Sequence, residues 1–206
     1  MSSRNYDAVL FDLLSALLDS WSLWNVIAGS EELGRRWRAE YLKITYREGA
    51  YRAYEELVAE SAEAVGLGRG VAGELEARFG ELQPWPEAGQ VLRELRRAGV
   101  RLGVVTNCSE RLGRVAAGCV GVEFDVVVTA ERAGFYKPDP RPYRLALAEL
   151  RSAAGRCLFV AGSGYDLVGT ARVGLGTYWH NRVGLARPEG AAAPLVETGS
   201  LLGLVR

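Results

Sequence analysis

The sequence predicts an α/β protein in which a parallel sheet is covered by helices on both faces. Three observations carry that expectation. Short apolar runs, each ending in a polar residue, recur along the chain. Amphipathic helical patterns separate them. One long stretch, from about 15 to 83, holds helical patterns and no convincing strand. A short, wholly apolar run reads as a strand buried on both faces, and strands alternating with helices build βαβ units.

The first strand is read at 6–11, ending at Asp12. Residues 101–105 lead to Thr106-Asn107 in the same way, and further strands are expected at 125–128, 157–160 and 177–179. Between them, 86–98 places Val91, Leu92, Leu95 and Ala98 on one helical face, with Gly99 as the stop. A helix over 109–117 is capped by Ser109. Tyr143, Leu147 and Leu150 recur at helical spacing within 140–150, and a last helix runs from Asp166 to Val173 before Gly174. Within 15–83, Ser30 followed by Glu31 and Glu32 starts a helix with Leu33, Trp37, Tyr41 and Ile44 along one side. A second helix covers about 50–65, four glycines at 66, 68, 70 and 73 loosen the chain before a short third one, and Pro84-Trp85-Pro86 marks the return. The tail from about 186, rich in Ala, Gly and Pro, reads as a loop leading to a final short apolar element. The division expected is a core unit from 1–14 and 84–206 and a helical cap from 15–83, with no internal repeat.

Composition narrows the function classes. The chain has 206 residues, and its 25 basic side chains balance 25 acidic ones. That balance argues against a general electrostatic role on nucleic acid or anionic membranes. No apolar run reaches the roughly 18 residues of a membrane span, and the opening residues read as leading into a strand rather than as a signal peptide. Cys108, Cys119 and Cys157 are odd in number and lack CxxC spacing, which points to reduced thiols and a cytoplasmic protein. His180 is the one histidine, so a triad or a histidine-rich metal site would have to be built around it. Only Lys43 and Lys137 are lysine among the 25 basic residues, a bias that GC-rich codon usage mostly explains. A lysine kept in that background is a candidate for a compact charge beside a carboxylate.

Ligands of open parallel sheets bind outside the carboxyl ends of the strands. Those ends offer Asp12, Thr106-Asn107 and the 161–166 loop ending in Asp166, with Lys137 following the third strand. A carboxylate near a lysine stays ionised, and held out of bulk water it is a competent nucleophile. Thr106 and Asn107 can hold it and donate to an anion, a constellation that suits displacement through an aspartyl ester. Each residue also has a bland reading. Asp12 and Asp166 suit helix caps, Lys137 a solvated surface, and Arg38 a salt-bridged helix face. Cys108 has no second histidine as base and reads as core, and His180 reads as packing or hydrogen-bonding near the end of the fifth strand. Gly162-Ser163-Gly164 lacks the third glycine of a dinucleotide fingerprint.

Four segments in order, Leu10 to Leu17, Val105-Thr106-Asn107, Tyr136-Lys137-Pro138-Asp139 and Leu158 to Asp166, resemble the four motifs of the haloacid dehalogenase superfamily. The L-2-haloacid dehalogenase branch is the most similar. Trp37-Arg38 with Thr45-Tyr46 looks like its cap helix, Lys137 to Pro140 with Tyr143 like its lysine segment, and Gly174 to Gly184 like its ending. The resemblance implies a Rossmann-like, doubly wound parallel sheet with an inserted α-helical cap. It also implies a small anionic substrate, a 2-haloacid, hydrolysed without cofactor or metal. Asp12 would attack the carbon bearing halogen, Lys137 would keep it ionised, and Arg38 and Asn107 would take the halide. Thr106 would bind the substrate carboxylate, with Tyr143 also at the substrate. Asp166, helped by Ser163, would orient the water that opens the ester. The resembled dehalogenases are commonly dimers.

The departures define the alternatives. Superfamily phosphatases carry a general-acid Asp two residues after the nucleophile and a magnesium-binding Asp in the fourth motif; here those positions are Leu14 and Gly162. The dehalogenase pattern itself changes from Tyr-Gly-Thr to Leu14-Ser15-Ala16, and from Ser-Ser-Asn to Ala161-Gly162-Ser163. A magnesium-dependent phosphomonoesterase, and a non-catalytic member binding a small anion or a protein, are the two other readings.

Overall fold

The computed structural model describes residues 6–205. Residues 1–5, assigned above to the core unit and read as leading into its first strand, lie outside the described residues. The apolar runs form strands β1 (Ala8–Phe11), β2 (Arg101–Thr106), β3 (Val126–Thr129), β4 (Cys157–Ala161) and β5 (Gly176–His180). The tail ends in the short apolar element expected and also pairs with the sheet. It adds a sixth strand, β6 (Val196–Thr198), and a short 3₁₀ turn over Leu201–Leu204. Hydrogen bonds from Leu195 N to Thr177 O and from Asn181 N to Thr198 O seat that edge on β5.

All pairings are parallel, in the order β3-β2-β1-β4-β5-β6. Side chains alternate across the sheet, as the period of two requires. Val9 and Phe11 of β1 join one cluster with Val91, Leu92 and Leu95 of α5 (Ala88–Arg97). Ala8 and Leu10 join the other with Tyr143, Ala146 and Leu147 of α8 (Pro140–Glu149). Both faces are therefore covered. The strand order reverses at β1, between β2 and β4, which opens a crevice at the carboxyl edge. Phe11 lies opposite both Val104 and Val160, so Asp12, Thr106 and the loop after β4 leave the sheet along that edge.

Helix α6 spans Glu110–Cys119, and the single-turn α7 spans Ala130–Ala133 after β3. Ser109 occupies the cap position of α6 without making the cap bond; its hydroxyl donates instead to Glu55 Oε1 at 2.7 Å. Helix α9 runs over Asp166–Val173 and closes on the left-handed Gly174.

The 15–83 stretch contains four helices: α1 (Ser20–Ile27), α2 (Glu31–Glu48), α3 (Tyr54–Ala64) and α4 (Gly70–Ala77). Helix α1 was not singled out from the sequence, because it is only eight residues long and follows directly on the apolar run from Leu13 to Leu18. Helix α4 begins at Gly70, so two of the supposed loop glycines are helical. Ser30 caps α2 as expected, accepting from Leu33 N at 3.2 Å. Helices α1, α2 and α3 share an aromatic centre in which Trp24, Trp37, Tyr41 and Tyr54 meet ring to ring. The chain enters and leaves the stretch side by side, at a bridge between Leu18 and Pro84. Among the described residues no helix is long and apolar enough to cross a membrane, and the three cysteines are free thiols.

Candidate active site

Asp12 follows β1 at the crevice, 7% exposed. Its two oxygens have different surroundings. Oδ1 accepts from Lys137 Nζ at 2.9 Å. Oδ2 accepts from Ser15 N at 3.1 Å, Ser15 Oγ at 2.8 Å and Ala16 N at 3.2 Å. Burial pushes this carboxyl upward, but the Lys137 charge and hydrogen bond, with the Ser15 donors, outweigh it and hold Asp12 below its ordinary range.

Lys137 is buried between two carboxylates, its Nζ also 3.0 Å from Asp166 Oδ1. Burial favours the neutral amine, yet Asp12 and Asp166 together raise its pKa, so the ammonium persists. Asn107 fixes the lysine segment in both directions: Lys137 N donates to its Oδ1 at 2.7 Å, and its Nδ2 donates to Lys137 O at 3.1 Å.

Asp166 is fully buried and does not cap α9; no side-chain cap bond exists there. Its Oδ1 accepts from Tyr143 Oη at 2.8 Å as well as facing Lys137, and its Oδ2 has no protein partner. Burial is the largest influence on it and the neighbouring Asp12 adds to it, so despite Lys137 its pKa is raised to about 6. Two carboxyls within reach of one ammonium are thus driven apart, one down and one up, the arrangement by which a site separates a nucleophile from a base.

Tyr143 packs edge-on to Phe159, its ring lying where Gly169 has no side chain; a Cβ there would come within 2.5 Å of Cε2. Its hydroxyl is committed to Asp166. Thr106 is buried and its hydroxyl has no partner. Ser163 is buried beside Asp166 in the turn after β4, where its Oγ accepts from Tyr165 N at 3.3 Å.

Arg38, on α2, is 2% exposed and makes no ion pair among the described residues. Its Nε and Nη1 are buried without partners. Aromatic faces surround the guanidinium, with the Trp24, Tyr41 and Trp21 ring centres 4.9, 5.4 and 5.6 Å away. A buried cation with free N–H groups is costly unless it is paired, and such a group can bind an anion. Tyr41 ties it to the sheet edge: its hydroxyl donates to Asn107 O at 2.7 Å, and its phenol feels both Arg38 and Asp12.

Some neighbours were not anticipated. Ser15 places three donor contacts, with Ala16, on the second oxygen of Asp12. Tyr46 stacks on Tyr165, ring centres 4.6 Å apart, joining α2 to the turn after β4; burial, then the charges of Asp166 and Asp12, push its phenol up. The signal available for Tyr46 was its place beside Thr45 in the segment that resembles the dehalogenase cap helix.

A family model described as haloacid dehalogenase-like hydrolase matches residues 6–174. A (S)-2-haloacid dehalogenase of a Pseudomonas species (strain YL) is 28% identical over 96% of this chain and 92% of its own length. A phosphatase of Mycobacterium tuberculosis is 29% identical over 84% of this chain and 82% of its own. A solved L-2-haloacid dehalogenase superposes with a TM-score of 0.81, at 25% identity and 94% coverage of each chain.

Proposed function

The chain belongs to the haloacid dehalogenase-like hydrolases, and from that premise we propose that it hydrolyses small 2-haloacids through an ester on Asp12. The observation that carries the reading is the pair of carboxyls set on one buried ammonium, with an unpaired buried guanidinium nearby. Oδ1 of Asp12, bearing one hydrogen bond, attacks the carbon that holds the halogen. The new C–O bond forms as the C–halogen bond breaks, with inversion, and the halide takes the bonding pair. Arg38 receives the halide, together with the N–H that Asn107 Nδ2 has left. The free hydroxyl of Thr106 binds the substrate carboxylate. Asp166, with its Oδ2 open and its pKa near 6, then accepts a proton from water as that water adds to Asp12 Cγ. Tyr143 acts by holding Asp166, and Ser163 helps Asp166 orient the water.

The donor set does not fit the superfamily's magnesium. Leu14 and Gly162 stand at the two diagnostic positions, Lys137 already ion-pairs with both carboxylates, and the described residues contain no cluster of three metal-ligating side chains. A halide leaves without protonation, whereas an alkoxide leaving from phosphorus needs the acid that Leu14 cannot supply. This favours dehalogenation over the phosphatase reading. We take the 15–83 helices as the cap of a core formed by the rest, working in the cytoplasm where thiols stay reduced. Halide release from chloroacetate and L-2-chloropropionate, measured with and without chelator, tests the proposal. Release unaffected by chelator is expected. Phosphate release from a generic ester only with magnesium, and no halide release, would replace it with the phosphatase; no turnover of either substrate would leave a binding protein.

A further inference from the structure

The hydroxyl of Ser15 has no place in the scheme above, yet it makes the shortest hydrogen bond to the nucleophile, 2.8 Å to Asp12 Oδ2. We infer that Ser15 is a further catalytic residue: with the N–H groups of Ser15 and Ala16 its hydroxyl forms the oxyanion hole in which the ester on Asp12 is hydrolysed. The inference rests on the proposed ester.

The unequal oxygens of Asp12 carry the argument. Attack by Oδ2 would sacrifice three hydrogen bonds, whereas attack by Oδ1 disturbs one. Once Oδ1 is alkylated, Oδ2 is the carbonyl oxygen of the ester and already sits among its donors. When water adds to Cγ, the π electrons of the carbonyl move onto Oδ2 and the water proton goes to Asp166. Collapse breaks the Cγ–Oδ1 bond, Oδ1 departs with the substrate carbon, and the proton on Asp166 converts it to the hydroxyl of a 2-hydroxy acid. Asp12 keeps the oxygen from water and loses the remaining proton to solvent. Negative charge therefore peaks on the atom that Ser15 touches, where preorganised donors act most strongly.

The donors are held from behind. Ser20 Oγ donates to Leu14 O, Trp85 Nε1 donates to Ser15 O at 3.0 Å, and Ala16 O lies 2.9 Å from His180 Nδ1. With the carbonyls anchored on that side, the N–H groups stay aimed at Oδ2. Gly162 makes room for the arrangement. A Cβ there would lie 2.5 Å from Ser15 Oγ, 2.4 Å from Ser15 C and 2.3 Å from Ala16 N. The resembled pattern has glycine at 15 and serine at 162; here the two residue types are exchanged. The hydroxyl missing from the fourth motif is supplied from the first, on the oxygen where hydrolysis needs it.

Rapid-quench kinetics on Ser15→Ala with L-2-chloropropionate separate the two steps. First-turnover halide release should stay within about threefold of the parent, while ester hydrolysis slows by about 100-fold, the scale of one lost oxyanion donor. The ester should then accumulate on the intact protein, visible by mass spectrometry. Ser15→Gly removes the same hydroxyl with less side chain and serves if the alanine variant does not fold. Unchanged hydrolysis, or an equal fall in both steps, would overturn the inference while leaving the ester mechanism standing. Absence of any halide release by the parent protein would overturn both.

Discussion

Lys137→Met removes the one cation between two buried carboxylates and keeps a side chain of similar length. Nζ lies 2.9 Å from Asp12 and 3.0 Å from Asp166. At an effective dielectric of about 20, each contact carries about 6 kcal/mol of attraction. Repulsion between the carboxylates and desolvation of all three groups offset much of it, and removing one partner of such a buried set costs about 3–5 kcal/mol. The variant should lose that much unfolding free energy near pH 8, about 3–5 kcal/mol, together with most halide release. The loss should shrink in acid. Without the ammonium, burial and mutual repulsion raise both folded-state pKa values above the unfolded ones, which lie near 4. Groups raised in this way stabilise the fold below the unfolded pKa and lose that contribution as pH rises through the folded one. In the parent protein Asp12 has the opposite sign: its lowered pKa contributes stability above the ordinary carboxylate range, lost on acidification. Urea unfolding followed by tryptophan fluorescence, at about pH 8 and about pH 5, reads the difference. A loss under about 1 kcal/mol, or one of equal size at both pH values, would refute the reasoning.

Three further outcomes are expected. Ester hydrolysis should fall as pH drops through about 6, where Asp166 gains its proton, while first-turnover halide release persists because Asp12 remains ionised; one shared inflection in both steps would contradict the division of roles. Arg38→Lys should lose about 100-fold or more in kcat/KM, since an ammonium cannot reproduce a planar donor fork among aromatic faces, and an Arg38→Lys enzyme with parental kinetics would remove Arg38 from the site. Gly162→Ala should force the Ser15–Ala16 backbone to move, lowering stability by about 1–3 kcal/mol and slowing turnover; a variant of unchanged melting temperature and rate would show that the crowding is harmless.

The sheet was legible because a strand buried on both faces leaves an apolar run with polar ends, and Ala8 to Phe11 or Val126 to Val128 can hardly be read otherwise. Helices with one exposed face were legible from their period instead, as Val91, Leu92 and Leu95 show. Helix α1 was not, since its eight residues span little more than two turns and follow directly on the apolar run from Leu13 to Leu18. Strand β6 was hidden by its shortness and half-exposed edge. At the site, strand ends exposed Asp12, Thr106 and Asn107, and arginine bias singled out Lys137. The rest depended on folding. Arg35, Arg36 and Arg38 are three similar residues in sequence, and only burial among Trp21, Trp24 and Tyr41 sets the last apart. Asp166 was offered by the loop after the fourth strand as both a site residue and a cap, and the structure shows its Oδ1 engaged by Tyr143 and Lys137 with no cap bond. Ser15 reads as a lost glycine until Gly162, about 150 residues away in sequence, is seen to leave it space.

The central claim is that a covalent bond joins Asp12 Oδ1 to the substrate, and isotope transfer tests it most directly. One turnover of L-2-chloropropionate by excess enzyme, in water enriched in heavy oxygen, should leave the label in the peptide containing Asp12 and produce an unlabelled hydroxy acid. Label in the hydroxy acid after that single turnover, with none in the peptide, would mean that water attacks the substrate directly and that the ester does not form.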